Sequence, residues 1–261
     1  MRRILIFTLM AVAGLAETAD ERIFSEFLSW YKTYTGAFAP PEVAKAYQAS
    51  LVQTGLPPAE AERRIEVIRK TVSRMPPEFT GLYFDHIYSA EKPPFRREAS
   101  QYMVRWVEGR MPGKALDVAM GQGRNALYLA AQGWDVTGYD VSDGGMAQAQ
   151  ALAEKSKLKL RTVNSTHEHF DYGKEQWDLI VETFAFTTLT DEPYRKRVID
   201  SLKPGGLLII EGFGDPGRHD PRNLMLESFK DLRFLSYEDR DEIADWSLQK
   251  ARLVRFAAEK P

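Results

Sequence analysis

The stretch Leu116-Asp117-Val118-Ala119-Met120-Gly121-Gln122-Gly123-Arg124-Asn125-Ala126 joins a buried acid, a glycine turn and a helix start without a break. Glycines at 121 and 123 permit unusual backbone angles and let a ligand come close to the main chain. The helix beyond them offers unpaired N–H groups and a partial positive charge, which suit a carboxylate or phosphate. Asp140 follows Gly121 by 19 residues, at the end of the next apolar run. A carboxylate there can accept both hydroxyls of an adenosine ribose. Gly121, Gly123 and Ala126 also satisfy the G-x-G-x-x-G/A fingerprint of dinucleotide-binding domains. Asp117 argues against that use, because an acid at the end of the strand repels a diphosphate and welcomes an ammonium group.

Other side chains have the right types for chemistry. Tyr83, Phe84, His86 and Tyr88, continued by Pro93-Pro94-Phe95, are read either as a lid over the turn or as packing. Phe184 and Phe186 divide in the same way. Glu182 and Glu211 each end an apolar run and are alternatives for a role beside an acceptor. His167 and His169 form His-Glu-His; with no third ligand nearby they read as a surface loop, and no metal is expected. Arg218 and His219 lie in a glycine-, proline- and charge-rich segment, residues 212–221, which is either a lid or a plain connection.

These residues need a frame. Up to residue 112 the chain reads as helices punctuated by proline: Asp20–Tyr34, Pro41–Gln53, a third opened by Pro57-Pro58 and ended by Pro76-Pro77, and a fourth from about Arg96 to Met111. From Lys114 short apolar runs alternate with amphipathic helices, the pattern of βαβ units and a parallel sheet. Strands are expected at Ala115–Ala119, Asp135–Tyr139, Leu158–Val163, Trp177–Val181 and Leu207–Glu211. Helices are expected at Arg124–Gln132, from Ser142 or Asp143 to about Lys155, and from Asp191. Arg233–Tyr237 and Leu253–Ala258 read as an antiparallel pair at the sheet edge.

Composition excludes some chemistry. The 261 residues contain no cysteine, so thiolate nucleophiles, thiolate metal sites and disulfides are all absent. The formal net charge is −2, which advertises no phosphate-neutralising surface. With 44% hydrophobic and 28% charged residues the chain can bury a core. Met1-Arg2-Arg3, the apolar run Ile4–Ala16 and the small residues up to Ala19 have the shape of a secretory signal, and the run is too short to span a bilayer comfortably.

At the glycine turn the chain resembles class I S-adenosylmethionine-dependent methyltransferases, in particular the small-molecule group of tellurite-resistance and thiopurine-type enzymes. The resemblance rests on Gly-Gln-Gly-Arg-Asn at 121–125 with Leu127 and Leu129-Ala130. It extends over about residues 80–261. It implies an α/β, Rossmann-like fold: a mostly parallel seven-stranded sheet with an antiparallel last strand, preceded by a helical region. It implies S-adenosyl-L-methionine as cofactor. Asp117, Ala119, Gly121, Gly123, Arg124 and Asn125 would surround its methionine part. Asp140 would take the ribose, Val141 would pack on the adenine, and Asn164 and Ser165 would meet the adenine edge. Glu182, Thr183 and Phe184 would face the transferred methyl, with Tyr88 and His86 as further catalytic candidates. Met120 and Asn164 depart from the group's usual small residue and aspartate.

The expected division is a leader at 1–19, a helical lid or cap at 20–112 and the cofactor-binding domain at 113–261. The expected activity is methyl transfer by in-line displacement to a small molecule. The alternatives are an NAD(P)-dependent oxidoreductase and a non-catalytic nucleotide-binding protein of the same fold. Neither nucleic acid nor an integral membrane span is expected, and the chain would be a monomer or homodimer. The leader points to export and the supply of methyl donor to the cytoplasm, where activity is placed.

Overall fold

The computed structural model describes residues 18–90, 95–185, 191–214 and 224–261, without the side chain of Leu224. Residues 1–17 of the expected leader, Pro93-Pro94, Phe186, Arg218 and His219 fall outside the described residues, while its last two, Thr18 and Ala19, belong to the start of the first helix. So does most of the 212–221 segment.

The chain forms two compact units, dividing between Met75 and Pro76. Among the described residues the first holds three helices, α1 (Ala19–Tyr31), α2 (Pro40–Gln53) and α3 (Pro58–Val72). Thr18 opens α1 with a capping box: its hydroxyl accepts from the Glu21 amide while the Glu21 carboxylate accepts from the Thr18 amide. Proline in the first turn opens α2 and α3, where its missing N–H costs nothing. Ile23, Phe27, Tyr31, Val43, Tyr47, Leu51, Ala61, Ile65 and Ile68 are buried, at the helical spacing seen in the sequence.

The second unit contains α4 (Pro77–Ser89), α5 (Gln101–Val107), β1 (Lys114–Val118), α6 (Arg124–Ala131), β2 (Asp135–Asp140), α7 (Asp143–Lys155), β3 (Leu160–Asn164), β4 (Trp177–Thr183), α8 (Glu192–Ser201), β5 (Leu202–Phe213), α9 (Leu224–Ser228), β6 (Arg233–Ile243) and β7 (Lys250–Glu259). The seven strands form one sheet in the order β3-β2-β1-β4-β5-β7-β6. The first five run parallel, and β7 enters antiparallel between β5 and β6. This is the expected Rossmann-like α/β sheet.

Two helices differ from expectation. Residues 77–89 form α4, where only a lid of aromatic residues was anticipated. The fourth expected helix, Arg96–Met111, contracts to α5, because Glu108 turns extended and Gly109 takes a φ of 76°. The final pair of strands is longer than expected, and β5 reaches back to Leu202, which pairs with Trp177 across a register shift.

Strand parity sends alternate side chains to two cores. Leu116, Val118, Tyr139, Ile180 and Ile210 pack with α8 and α9 on one face. Ala115, Val136, Leu179, Val181 and Ile209 pack with α5, α6 and α7 on the other. A buried ion pair crosses the antiparallel part: Arg255 on β7 donates to Glu211 on β5 at 2.7 Å, with side chains 7% and 0% exposed. Ser100 Oγ donates to the other Glu211 oxygen at 2.6 Å. Truncating one partner leaves a buried charge, so Arg255→Leu should lower unfolding free energy by roughly 3 kcal/mol in urea titration. The double variant with Glu211→Leu should recover most of that loss. A double variant no more stable than the single one would show that the pair itself contributes net stability.

Candidate functional site

The C-terminal ends of β1, β2 and β4 form one rim. Where β1 stops at Val118, the chain turns through Ala119, whose φ is 52°, into Gly121 and Gly123 at 51° and 74°. A left-handed alanine is strained, and such residues concentrate at functional sites. Phe184 ends the neighbouring β4 in the same way, with a φ of 52°. Two adjacent strands therefore finish in left-handed residues at one edge.

Asp140 fixes the turn. One carboxylate oxygen accepts from the Gly121 amide and the other from the Ser142 amide, each at 2.8 Å. Each oxygen retains a lone pair for a further donor. The carboxyl is 8% exposed, and burial raises its pKa. Asp117 lies beneath the turn, 2% exposed, and accepts from the Ala126 amide at 2.9 Å in the first turns of α6. Burial pushes its pKa up to about 7 against the pull of that amide and of Arg124. Asn125 ties α6 to two elements: its amide donates to Thr183 Oγ1 at 2.8 Å and its carbonyl accepts from the Ser100 amide.

Arg124 projects from the start of α6. Its Nη1 reaches Glu98 O at 3.0 Å and Asp245 at 3.1 Å, and its guanidinium lies over the Phe184 ring at 5.8 Å. Its Nη2 is buried with no hydrogen-bond partner among the described residues.

α4 lies across the same rim. Asp85 accepts from Ser142 Oγ at 2.6 Å and from the Gly144 amide at 2.8 Å, which fastens α4 to the start of α7. A Cβ at Gly81 would lie 2.6 Å from the Val141 carbonyl oxygen. The Tyr88 hydroxyl lies 2.4 Å from where a Gly121 Cβ would be, and the Tyr88 ring also packs on Gly145. The lid anticipated at Tyr83–Tyr88 is thus a helix whose last tyrosine covers the glycine turn. His86 is half-buried in the final turn of α4.

From Tyr88 an aromatic wall continues along the rim. Tyr88 meets Phe95 edge-on, Phe95 stacks on Trp246 at 3.8 Å, and Trp246 stacks on Phe184 at 5.3 Å. Phe213, at the end of β5, completes it.

Some expected residues stand elsewhere. Glu182 was expected to face the transferred methyl. Parity sends its side chain to the opposite face from Thr183, where it is 3% exposed and accepts from Tyr194 Oη at 2.6 Å. Burial raises its pKa to about 7. Asn164 is exposed and spends its amide on Asp143 at 2.7 Å, while the Ser165 amide binds the Asp140 carbonyl. Val141 is half-buried under Gly81. Met120 fills the space over Gly138, where a Cβ would lie 2.3 Å from its sulfur, so the large residue at 120 is matched by the missing side chain at 138. Among the described residues no group of three or more His, Asp or Glu side chains could hold a metal ion. His169 binds Thr166 and His167 binds Tyr139.

Asp85, Asp245 and Trp246 escaped the sequence reading, whereas Thr183, expected beside the methyl, does reach the rim. Asp85 comes from α4, and Asp245 and Trp246 from the turn between β6 and β7.

Residues 115–206 match the family described as Methyltransferase domain. The chain is similar to the "Probable S-adenosyl-L-methionine-dependent methyltransferase TehB" of Haemophilus influenzae, 31% identical over 144 residues, covering 49% of each chain. It is similar to "Hemagglutinin 1" of Eikenella corrodens, 30% identical over 146 residues, covering 53% of this chain and 45% of the other. It thus spans about half the length of the curated relatives it matches. Among solved structures, TehB from Haemophilus influenzae superposes with a TM-score of 0.55 at 24% identity, covering 69% of this chain and 67% of that one.

Proposed function

We propose that this chain, which carries a class I methyltransferase domain of the tellurite-resistance group, transfers a methyl group from S-adenosyl-L-methionine to a small-molecule acceptor. The observation that carries the reading is the clasp of Asp140 on Gly121 directly above the buried Asp117. That arrangement suits a ligand with a cationic end and a ribose. Asp117 would welcome the ammonium of the methionine part, and the buried, unpartnered Arg124 Nη2 would take its carboxylate. The free lone pairs of Asp140 would accept from the ribose hydroxyls. When bound, this cofactor supplies an electrophilic methyl on a sulfonium sulfur, open to in-line displacement.

The chain's own residues would do the rest by positioning and by excluding water. Tyr88 covers the turn, and its aromatic face suits a neighbouring positive charge. Phe184, Phe213, Phe95 and Trp246 would form the acceptor's wall, which favours an acceptor with an apolar or aromatic body. A nicotinamide dinucleotide is disfavoured, since Asp117 stands where its diphosphate would lie.

Calorimetric titration of the purified protein with S-adenosylmethionine, with NADH as control, tests the reading. Micromolar binding of the methyl donor alone is expected. Binding of NADH alone would replace this function with a redox one.

A further inference from the structure

Arg124, the side chain proposed to take the donor's carboxylate, is itself held by a residue 121 positions further along the chain. Its side chain is 9% exposed. Nη1 donates to the Glu98 carbonyl at 3.0 Å and to Asp245 Oδ1 at 3.1 Å, and one face of the guanidinium lies over the Phe184 ring. Nη1 carries two protons, so these two acceptors use both. A planar guanidinium gripped at one nitrogen and covered on one face has its plane set. Nη2 is therefore set as well, and it is buried with no hydrogen-bond partner among the described residues. A buried N–H without an acceptor costs free energy, which a ligand oxygen placed on Nη2 would recover.

Asp245 is built to hold its partner still. It lies in the turn between β6 and β7, which is closed by hydrogen bonds from the Ala244 amide to the Gln249 carbonyl and from the Leu248 amide to the Ala244 carbonyl. Ala244 is buried in a cluster with Phe184 and Leu253. The second Asp245 oxygen accepts from the Gln101 amide at 2.9 Å, in the first turn of α5. Beside it, the Trp246 carbonyl accepts from the Arg96 amide at 2.9 Å. The turn is thus fastened to the segment leading into α5 on one side and to the start of α6 on the other. With side chains 9% and 20% exposed, the Arg124–Asp245 pair is screened by salt far less than an open surface pair.

We infer that Asp245 is a positioning residue for the methyl donor, acting through Arg124 on the donor's carboxylate. The inference rests on the methyltransferase reading above. Asp245 holds the guanidinium in the orientation in which Nη2 receives that carboxylate. Without it, Nη1 keeps only the Glu98 carbonyl, and the guanidinium must be ordered at the moment of binding, at a cost in affinity. The ribose end of the donor, assigned to Asp140, would not feel the change. The last hairpin of the chain, at the β6 edge of the sheet, would then take part in a site whose glycine turn follows β1.

The test is calorimetric titration of the full chain with two ligands, S-adenosylmethionine and its decarboxylated form, which differ only in the carboxylate. Asp245→Asn removes the charge and keeps one oxygen for the Gln101 amide, so the opening of α5 is preserved. It should weaken S-adenosylmethionine about tenfold and leave the decarboxylated ligand within about twofold. Asp245→Ala should show the same difference between the ligands, with any loosening of α5 appearing equally in both. In an Arg124→Ala background the change at Asp245 should cost nothing further. Equal losses for the two ligands in Asp245→Asn, no loss for either, or a further loss in the Arg124→Ala background would overturn the role of Asp245 and leave donor binding standing. An unaltered chain that binds neither ligand would overturn the methyltransferase reading and this inference together.

Discussion

Gly121→Val should abolish measurable donor binding, and Asp140→Ala should weaken it by about a hundredfold. At Gly121 two penalties combine. The backbone is left-handed, with a φ of 51°, which a β-branched residue resists by roughly 1–2 kcal/mol. The added Cβ would also lie 2.4 Å from the Tyr88 hydroxyl, so α4 would have to lift from the turn. At Asp140, truncation removes the acceptor proposed for the ribose hydroxyls and loosens the turn that Gly121 and Ser142 fasten to it. Losing two such bonds to the donor, at about 1.5 kcal/mol each, corresponds to roughly a hundredfold in affinity. Calorimetry on both variants checks this. Donor binding of ordinary strength in folded Gly121→Val would place the donor site away from this turn.

Donor binding should also release close to one proton at pH 6 and almost none above pH 8. Burial holds the Asp117 carboxyl largely protonated below about 7, and a cation beside it favours the ionised form. The number released is read from the dependence of the calorimetric heat on buffer ionisation enthalpy, and Asp117→Asn should remove it. The same raised pKa has a consequence for the free protein. The native state holds a proton on Asp117 that the unfolded chain gives up near 3.8. Stability from this group is therefore complete below that pH and is lost as pH rises through about 7, by about 4 kcal/mol for a group so fully buried. Glu182 acts in the same direction over the same interval. Stability that instead rose between pH 4 and 7 in the unliganded protein would mean that both carboxyls are ionised in the fold.

The glycine turn was legible because local sequence dictates it: an apolar strand, two glycines and a helix leave the chain little choice. The sheet was legible for the same reason, through period and punctuation. Spacing alone put Asp140 at the end of the strand beside the turn, but its hydrogen bond to the Gly121 amide was not foreseen. Helix α4 was not legible, since Gly81 and a run of aromatics conceal its face, and its stability comes from Asp85 and Tyr88 docking on residues 60 positions downstream. The direction of Glu182 depends on strand parity, and a reading one residue out of phase turns its carboxylate to the wrong face.

The placing of β7 has a bearing on how the chain is made. Among the described residues β6 pairs only with β7, and β7 fills the gap beside β5. A nascent chain that has reached residue 249 therefore holds a finished β6 with no neighbour and a β5 whose edge lies open. Residues 250–259 close both at once, and with them arrives Arg255, the counter-ion of Glu211. Until that strand leaves the ribosome the parallel half must wait with an adhesive border, which makes the interval before its release the stage most exposed to aggregation and most dependent on a chaperone.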